Sequence, residues 1–317
     1  MARHNRPRRG SLAFRPRKRS STDMPRVGEW PLSEKPVLLG YAGYKAGMSH
    51  IMYVDQSKSH LKGRERFSPV TVIEVPEMIV YGARLMYHGQ TVKDVLTDDK
   101  DILIQAGFKK RAENPAKPEY PEQFDEVYAL MYTQPAKTTF GKKKIEKMII
   151  GVGGTPKEAL EYVKSLINKK IKAKDVFSEG QYVDIIAITK GKGWQGPVKR
   201  FGIATQRPKS TGKVRHVGNL GPFKPAYVPY EAPQAGQVGY HKRTEINKLI
   251  VKMGADPNEI NPSSGFSDYG IVKNDYILLK GSIPGPKKRL VRLRLAIRKT
   301  DKVQPVQLSY VSKEPQN

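Results

Sequence analysis

Between Thr189 and Tyr230, lysine and arginine alternate with glycine, proline and single aromatic residues, a combination suited to holding a polyanion and to no covalent chemistry. Glycine lets the backbone come close to a phosphate, the cations neutralise it, and aromatic rings offer faces on which bases stack. The cations here are Lys190, Lys192, Lys199, Arg200, Arg207, Lys209, Lys213, Arg215 and Lys224, and the rings are Trp194, Phe201, Phe223, Tyr227 and Tyr230. Residues 185–230 contain nine Lys and Arg, seven Gly, five Pro and no acidic residue, which precludes a long helix and leaves too few apolar side chains for a second core. A long loop of this kind in a compact domain is functional or disordered. The plain alternative is a flexible, solvated basic loop.

The same acid-free pattern occurs twice more, over residues 1–22 and 280–299, with eight Lys and Arg in each. Together the three stretches hold 25 of the net charge of +27, while the remaining 229 residues nearly balance at 32 basic against 30 acidic. The candidate ligand contacts of the first are Arg3, Arg6, Arg8, Arg9, Arg15, Arg17, Lys18 and Arg19; those of the last are Lys287, Lys288, Arg289, Arg292 and Arg294. His241, Lys242 and Arg243 follow the central stretch and extend its charge. His216 and His241 read as hydrogen-bonding or RNA-contacting groups, because no Asp or Glu stands at a spacing that would make a proton relay. Trp194 suits packing on a domain rim as well as stacking on a base. The first stretch alone would also fit a solubilising tail or a nuclear signal, but three separate stretches in one chain favour a shared polyanionic partner.

Several function classes are excluded. The chain has no cysteine, and its six histidines form no metal-binding pair, so no metal is expected. Gly212-Lys213 is followed by Val214 and preceded at the required position by Arg207, so it is not a phosphate-binding P-loop. Gly151-Val152-Gly153-Gly154 lacks the third glycine of a dinucleotide turn. With no cofactor loop and no acid pair, neither a cofactor nor an enzymatic activity is expected. No apolar run approaches the roughly 18 residues that span a bilayer. The N-terminus is Arg-rich like a transit peptide, but Pro7, Gly10 and Pro16 break the helix such a peptide needs, and it reads as part of the mature protein.

The elements that must position these residues are mostly strands. Residues 1–36 are rich in Pro, Arg and Ser and read as an arm that orders on a partner. Residues 37–54 suit bent strands and 68–78 alternate like a strand; 126–133, 145–152, 182–189, 271–279 and 290–298 are strand-like as well. In the last, Val291, Leu293, Leu295 and Ile297 alternate with Arg292, Arg294 and Arg298, which predicts one buried face and one face of outward arginines. Residues 91–130 carry nine acids against six bases, with Pro115, Pro118 and Pro121, and read as a solvent-facing insertion. One helix is clear: Thr155, Pro156 and Glu158 make a capping signature ahead of Ala159, Leu160, Val163, Leu166 and Ile167. Residues 245–253 fit helix or strand. The fold class is mainly β, with an all-β core that a barrel would suit and one α-containing insertion.

Four motifs closely resemble the L-three family of large-subunit ribosomal proteins. They are P-R-R-G-S-L-A-F-R-P-R-K-R in the arm, T-K-G-K-G-W-Q-G-P-V-K-R from Thr189, A-G-Q-V-G-Y-H-K-R-T-E-I-N from Ala235 and L-K-G-S-I-P-G-P-K-K-R-L from Leu279. The last two look archaeal or eukaryotic, and the short C-terminus looks archaeal. The resemblance implies a six-stranded translation-factor-type β-barrel, over residues 37–90 and 180–317, with an inserted α/β region over 91–179. It also implies a basic N-terminal arm, 1–36, and a long central extension, 190–244, that penetrates ribosomal RNA towards the peptidyl transferase centre. Relatives bind large-subunit rRNA early in assembly and lie beside other ribosomal proteins; no membrane and no homo-oligomer are implied. Phe223 would stand at the tip where eukaryotic relatives carry tryptophan, keeping the stacking face but losing the indole donor. Thr211 falls where those relatives carry a modified histidine. Charge alone would also suit a non-ribosomal basic nucleic-acid architectural or chaperone protein.

Overall fold

In the computed structural model, the structure describes residues 10, 11, 13–55, 60–108, 121, 123–210, 212–298 and 306–314. Arg3, Arg6, Arg8, Arg9, Thr211, Pro115 and Pro118 therefore lie outside the described residues. The chain forms two compact units: one comprises Met1–Thr22 and Ile188–Lys242, the other Asp23–Ala187 and Arg243–Asn317.

The larger unit is built on β-sheet. In chain order its strands begin with β1 (Gly40–Val54), β2 (Glu65–Glu74), β3 (Met78–Tyr87) and β4 (Gln90–Leu96), followed by the short helix α1 (Lys100–Gln105). Then come β5 (Glu126–Tyr132), β6 (Lys147–Gly151), α2 (Pro156–Leu166), β7 (Lys170–Ile171) and β8 (Tyr182–Ile188). The smaller unit contributes β9 (Trp194–Gln195), α3 (Pro197–Phe201) and β10 (Gly236–Gln237). The chain then continues through β11 (Lys242–Gly254), β12 (Tyr276–Lys280), β13 (Leu290–Leu295) and β14 (Gln307–Val311).

Seven strands pair in the order β13-β8-β11-β12-β2-β1-β14, and β13 also pairs with β1. A second sheet runs β4-β3-β5-β6, with β7 on β3, and α2 packs on β3 and β5. Glu158 accepts from the Thr155 backbone N–H at 3.4 Å, and Ala159, Leu160 and Val163 are buried. The ambiguous residues 245–253 are strand, paired with β12. The apolar run at 68–78 is split between two sheets: Pro76 lies between the end of β2 and the start of β3. Consequently the second sheet begins upstream of residue 91. Its first hairpin turns at His88 and Gly89, both at positive φ, and a glycine second in a two-residue turn supplies that conformation without strain.

Buried tyrosines tie the two sheets together. Tyr41 Oη donates to the carbonyls of Pro76 (2.9 Å) and Ile171 (2.8 Å), and Tyr44 Oη donates to Glu146 Oε2 at 3.0 Å. Glu74, at the end of β2, is wholly buried. Its Oε1 accepts from Lys273 N, Asn274 N and Asn274 Nδ2 at 2.7 to 2.9 Å, and its Oε2 accepts from Tyr269 Oη. One carboxylate thus organises the turn that leads into β12.

The expected outward arginine face of β13 is a correction. Arg292 and Arg294 are 3 % and 8 % exposed, because residues 25–30 lie over that face of the strand. Arg294 Nη2 donates to Asp184 on the neighbouring strand at 2.7 Å, and Nη1 donates to the Glu29 carbonyl at 2.6 Å. Arg292 donates to the carbonyls of Pro25 (3.2 Å) and Ile149, with its guanidinium 5.8 Å from the Trp30 ring centroid. Burial pushes Arg292 down to about 10, which leaves it charged at neutral pH. Trp30 fills space left by two glycines: a Cβ on Gly40 or Gly151 would lie 2.7 or 2.6 Å from its ring. Part of the stretch read as an unfolded arm is therefore a strap of the larger unit.

Two outcomes follow for stability, both readable by urea unfolding. Glu74→Ala removes the acceptor of four hydrogen bonds, among them that of the buried Tyr269 hydroxyl, and is expected to lower stability by about 3 kcal/mol. Trp30→Ala, which opens the cover over Arg292, is expected to cost about 3 kcal/mol; an effect below about 0.5 kcal/mol would show that the strap is not part of the folded unit.

Candidate nucleic-acid interface

The smaller unit carries most of the candidate residues and has almost no apolar interior. Among its described residues only Ile188, Pro197, Ile203 and Gly236 are buried. Its base is held by backbone bonds: Thr189 N to His241 O (3.0 Å), Lys192 N to Val238 O (2.9 Å) and Val238 N to Gly193 O (2.9 Å). Trp194 and Gln237, and Gln195 and Gly236, then pair as the two-stranded ribbon of β9 and β10. Gly239, at φ +72°, is required there, since a Cβ would run into the Lys190 carbonyl. The N-terminal segment joins this base through Ser20 N to Tyr240 O (2.8 Å), and His241 Nδ1 meets the Lys18 carbonyl at 2.9 Å.

Guanidiniums stacked on rings take the place of a core. Arg15 lies 4.3 Å from the Tyr230 ring centroid, Arg17 5.0 Å from Phe201 and Arg19 5.1 Å from Tyr240, so every second residue of the arm sits on an aromatic of the extension. Arg200 lies 5.1 Å from Phe201 and donates to the carbonyls of Gln234, Ala235 and Gln237. Such contacts contribute about 0.5 to 1 kcal/mol each at exposed sites and more when desolvated. Phe201 and Tyr230 thus use ring faces on the chain's own arginines, where the sequence suggested bases. Nothing in local sequence signals the contacts of the arm, because Arg15, Arg17 and Arg19 stand more than 180 residues from their rings.

The remaining candidates point outward. Trp194, Phe223 and Tyr227 are 74 %, 93 % and 71 % exposed, and Lys190, Lys192, Lys199, Arg207, Lys209, Lys213, Arg215, His216 and Lys224 are all exposed. Among the described residues, His216 Nδ1 bonds its local neighbour, the Lys213 carbonyl. Lys242 is exposed and Arg243 half-buried at the start of β11.

On the larger unit, the loop before β13 is held by Lys45. Its buried ammonium donates to the carbonyls of Ile283 (2.8 Å) and Gly285 (3.1 Å), and burial lowers its pKa. That loop presents Lys288 to solvent, while Lys287 and Arg289 stand 4.0 and 3.2 Å from Asp268 and Asp23. The exposed pair Lys143 and Lys144 adds to the charge of this unit and lies outside the three acid-free stretches. Arg292 and Arg294 are internal and take no part in the surface. Among the described residues no cluster of His, Asp or Glu could hold a metal ion, and no helix is long and apolar enough to cross a membrane.

A family profile described as Ribosomal protein L3 matches residues 1–117 and 119–315. The large ribosomal subunit protein uL3 of Methanothermobacter thermautotrophicus is 44% identical, with 98% of each chain covered. The protein of the same name from Methanobrevibacter smithii is also 44% identical over 98% of each chain, and that of Archaeoglobus fulgidus 43% over 93% of each. The similarity runs through the arm, the extension and both sheets alike, and the chain belongs to the ribosomal protein L3 family.

Proposed function

We propose that this chain is a non-catalytic, structural constituent of the large ribosomal subunit that binds rRNA directly, supports early subunit assembly and reaches towards the peptidyl transferase centre with residues 190–244. Its partners are large-subunit rRNA and neighbouring ribosomal proteins, and its location is the ribosome in the cytoplasm. The observation that carries the reading is the smaller unit itself: exposed cations and rings on a frame with almost no core, in a chain similar along its whole length to proteins named for the large subunit. Folded RNA packs phosphates densely, and a segment entering it must neutralise charge without a bulky core of its own. Most contacts would then be to phosphate and 2′-hydroxyl, with Trp194, Phe223 and Tyr227 available for bases.

The larger unit serves as the anchor. We read its seven-stranded sheet as the six-stranded translation-factor-type barrel with one added strand. The circuit β1-β2-β12-β11-β8-β13 returns to β1 through the β13–β1 pairing, which supports a closed barrel, and β14 adds to β1 from outside. The second sheet with α2 is then the inserted α/β region. The first residues of the arm, Arg3, Arg6, Arg8 and Arg9, and the loop carrying Lys287, Lys288 and Arg289 are assigned to the same RNA.

Sedimentation of cell extract tests the assignment: one copy per large subunit is expected, and free or DNA-bound protein would refute it. If about six cations engage phosphate, log affinity for a large-subunit rRNA fragment falls with log salt at a slope of about −4 to −6, and a flat salt dependence would count against direct binding. Phe223→Ala is expected to weaken RNA binding by about 1 to 3 kcal/mol if its ring stacks on a base. Deletion of residues 192–224 should leave the urea transition of the larger unit in place while blocking subunit assembly.

A further inference from the structure

Within the smaller unit, a cavity of about 490 Å³ is lined by arm residues 15–18, by Arg200 and Phe201, and by part of the segment 228–235. Four cations, Arg15, Arg17, Lys18 and Arg200, surround it, and among the described residues that line it none is acidic. No ion pair engages any of the four among the described residues, whereas Arg66, Arg84 and Arg294 of the larger unit each hold a carboxylate at 2.7 or 2.8 Å. The guanidiniums are also close enough to oppose one another's charge. Burial lowers Arg17, with Arg15 adding to the effect; burial lowers Arg200, with Arg17 and then Arg15 adding to it.

These groups are held in place despite that repulsion. Arg15 Nη1 donates to the Tyr230 carbonyl (3.3 Å), Arg17 Nη2 to the Ser11 carbonyl (2.9 Å) and Arg200 through Nε and Nη1 to three carbonyls, so each guanidinium keeps donors in reserve. Because arginines already cover faces of Phe201 and Tyr230, the cavity is better suited to anionic oxygens than to a base. Convergent, fixed guanidiniums without a counter-charge are the arrangement that binds phosphate with charge-assisted, bidentate hydrogen bonds.

We propose that this cavity is a phosphate pocket, built jointly by the N-terminal arm and the central extension, that takes adjacent backbone phosphates of an RNA strand. The proposal rests on the rRNA-binding reading and adds a location to it: the arm completes the site, so neither segment would bind fully without the other.

Inorganic pyrophosphate, titrated calorimetrically into the full chain at fixed ionic strength, is the probe. One equivalent is expected to bind in a defined step. The double variant Arg15→Gln/Arg17→Gln should weaken it about tenfold or more, on the scale of the lost charge-assisted bonds. Since those arginines also brace the unit, Lys18→Gln serves as the second variant: among the described residues its ammonium makes no hydrogen bond or ion pair, and a loss of about threefold is expected on the scale of one exposed charge. Lys62→Gln on the larger unit, which removes the same charge elsewhere, should change nothing. Several weak equivalents, or a step indifferent to both pocket variants, would overturn the pocket; if an rRNA fragment still binds such a protein, only the pocket has failed. Competition between the fragment and pyrophosphate assigns the site to RNA backbone. Pyrophosphate binding that no fragment displaces would overturn that assignment, and a complete absence of fragment binding would refute the rRNA reading as well.

Discussion

A guanidinium taken out of water needs an electron-rich partner, and where this chain finds that partner separates its scaffold from its binding surface. In the larger unit Arg294 has the Asp184 carboxylate, Arg292 has two carbonyls and the Trp30 ring, and both are enclosed where no outside anion can reach them. In the smaller unit Arg15, Arg17 and Arg200 line an open cavity and have rings and carbonyls but, among the described residues, no carboxylate. Rings and carbonyls position a cation without neutralising it. The first set is therefore spent on folding, and the second remains able to attract an anion.

This difference explains why two such dissimilar units can share one chain. The larger unit follows ordinary globular rules, with apolar strands, buried tyrosines joining two sheets and a buried carboxylate, Glu74, satisfied by four donors. Those features supply rigidity independent of any ligand. In the smaller unit an apolar core would fill the space that the proposed phosphate pocket leaves open. Stacked arginines give a thinner frame, at the cost of mutual repulsion that a bound polyanion relieves.

Much of this was legible in the residues. Strand periodicity placed β1, β5, β6, β8 and β13, and the capping residues around Thr155 placed α2, because those signals are local. The split of 68–78 into two strands was not legible, since an alternating pattern does not reveal that the chain changes sheets at Pro76. The two residues His88-Gly89 were a turn signal that could have marked the β3–β4 hairpin. β13 misled most: alternation of Leu and Arg normally means one wet face, and only the remote segment around Trp30 makes both faces dry. Likewise Met24 and Trp30, the residues of 23–36 that pack against the core, stand too far apart to signal packing until a surface is there to receive them.

By itself the sequence determined in which stretches this protein's charge is concentrated, that those stretches suit a polyanion, and to which family it is similar. Composition fixes net charge and glycine content fixes how closely a backbone can approach a ligand, whatever the fold. Only the tertiary structure decided which arginines are available. Arg292 and Arg15 are the same side chain in equally basic stretches; Arg292 is enclosed by strands and a strap brought from over 250 residues away, and Arg15 is laid on Tyr230 at the edge of an open cavity. Charge is a property of the residue, but its desolvation and its counter-charge depend on neighbours that the chain acquires only by folding.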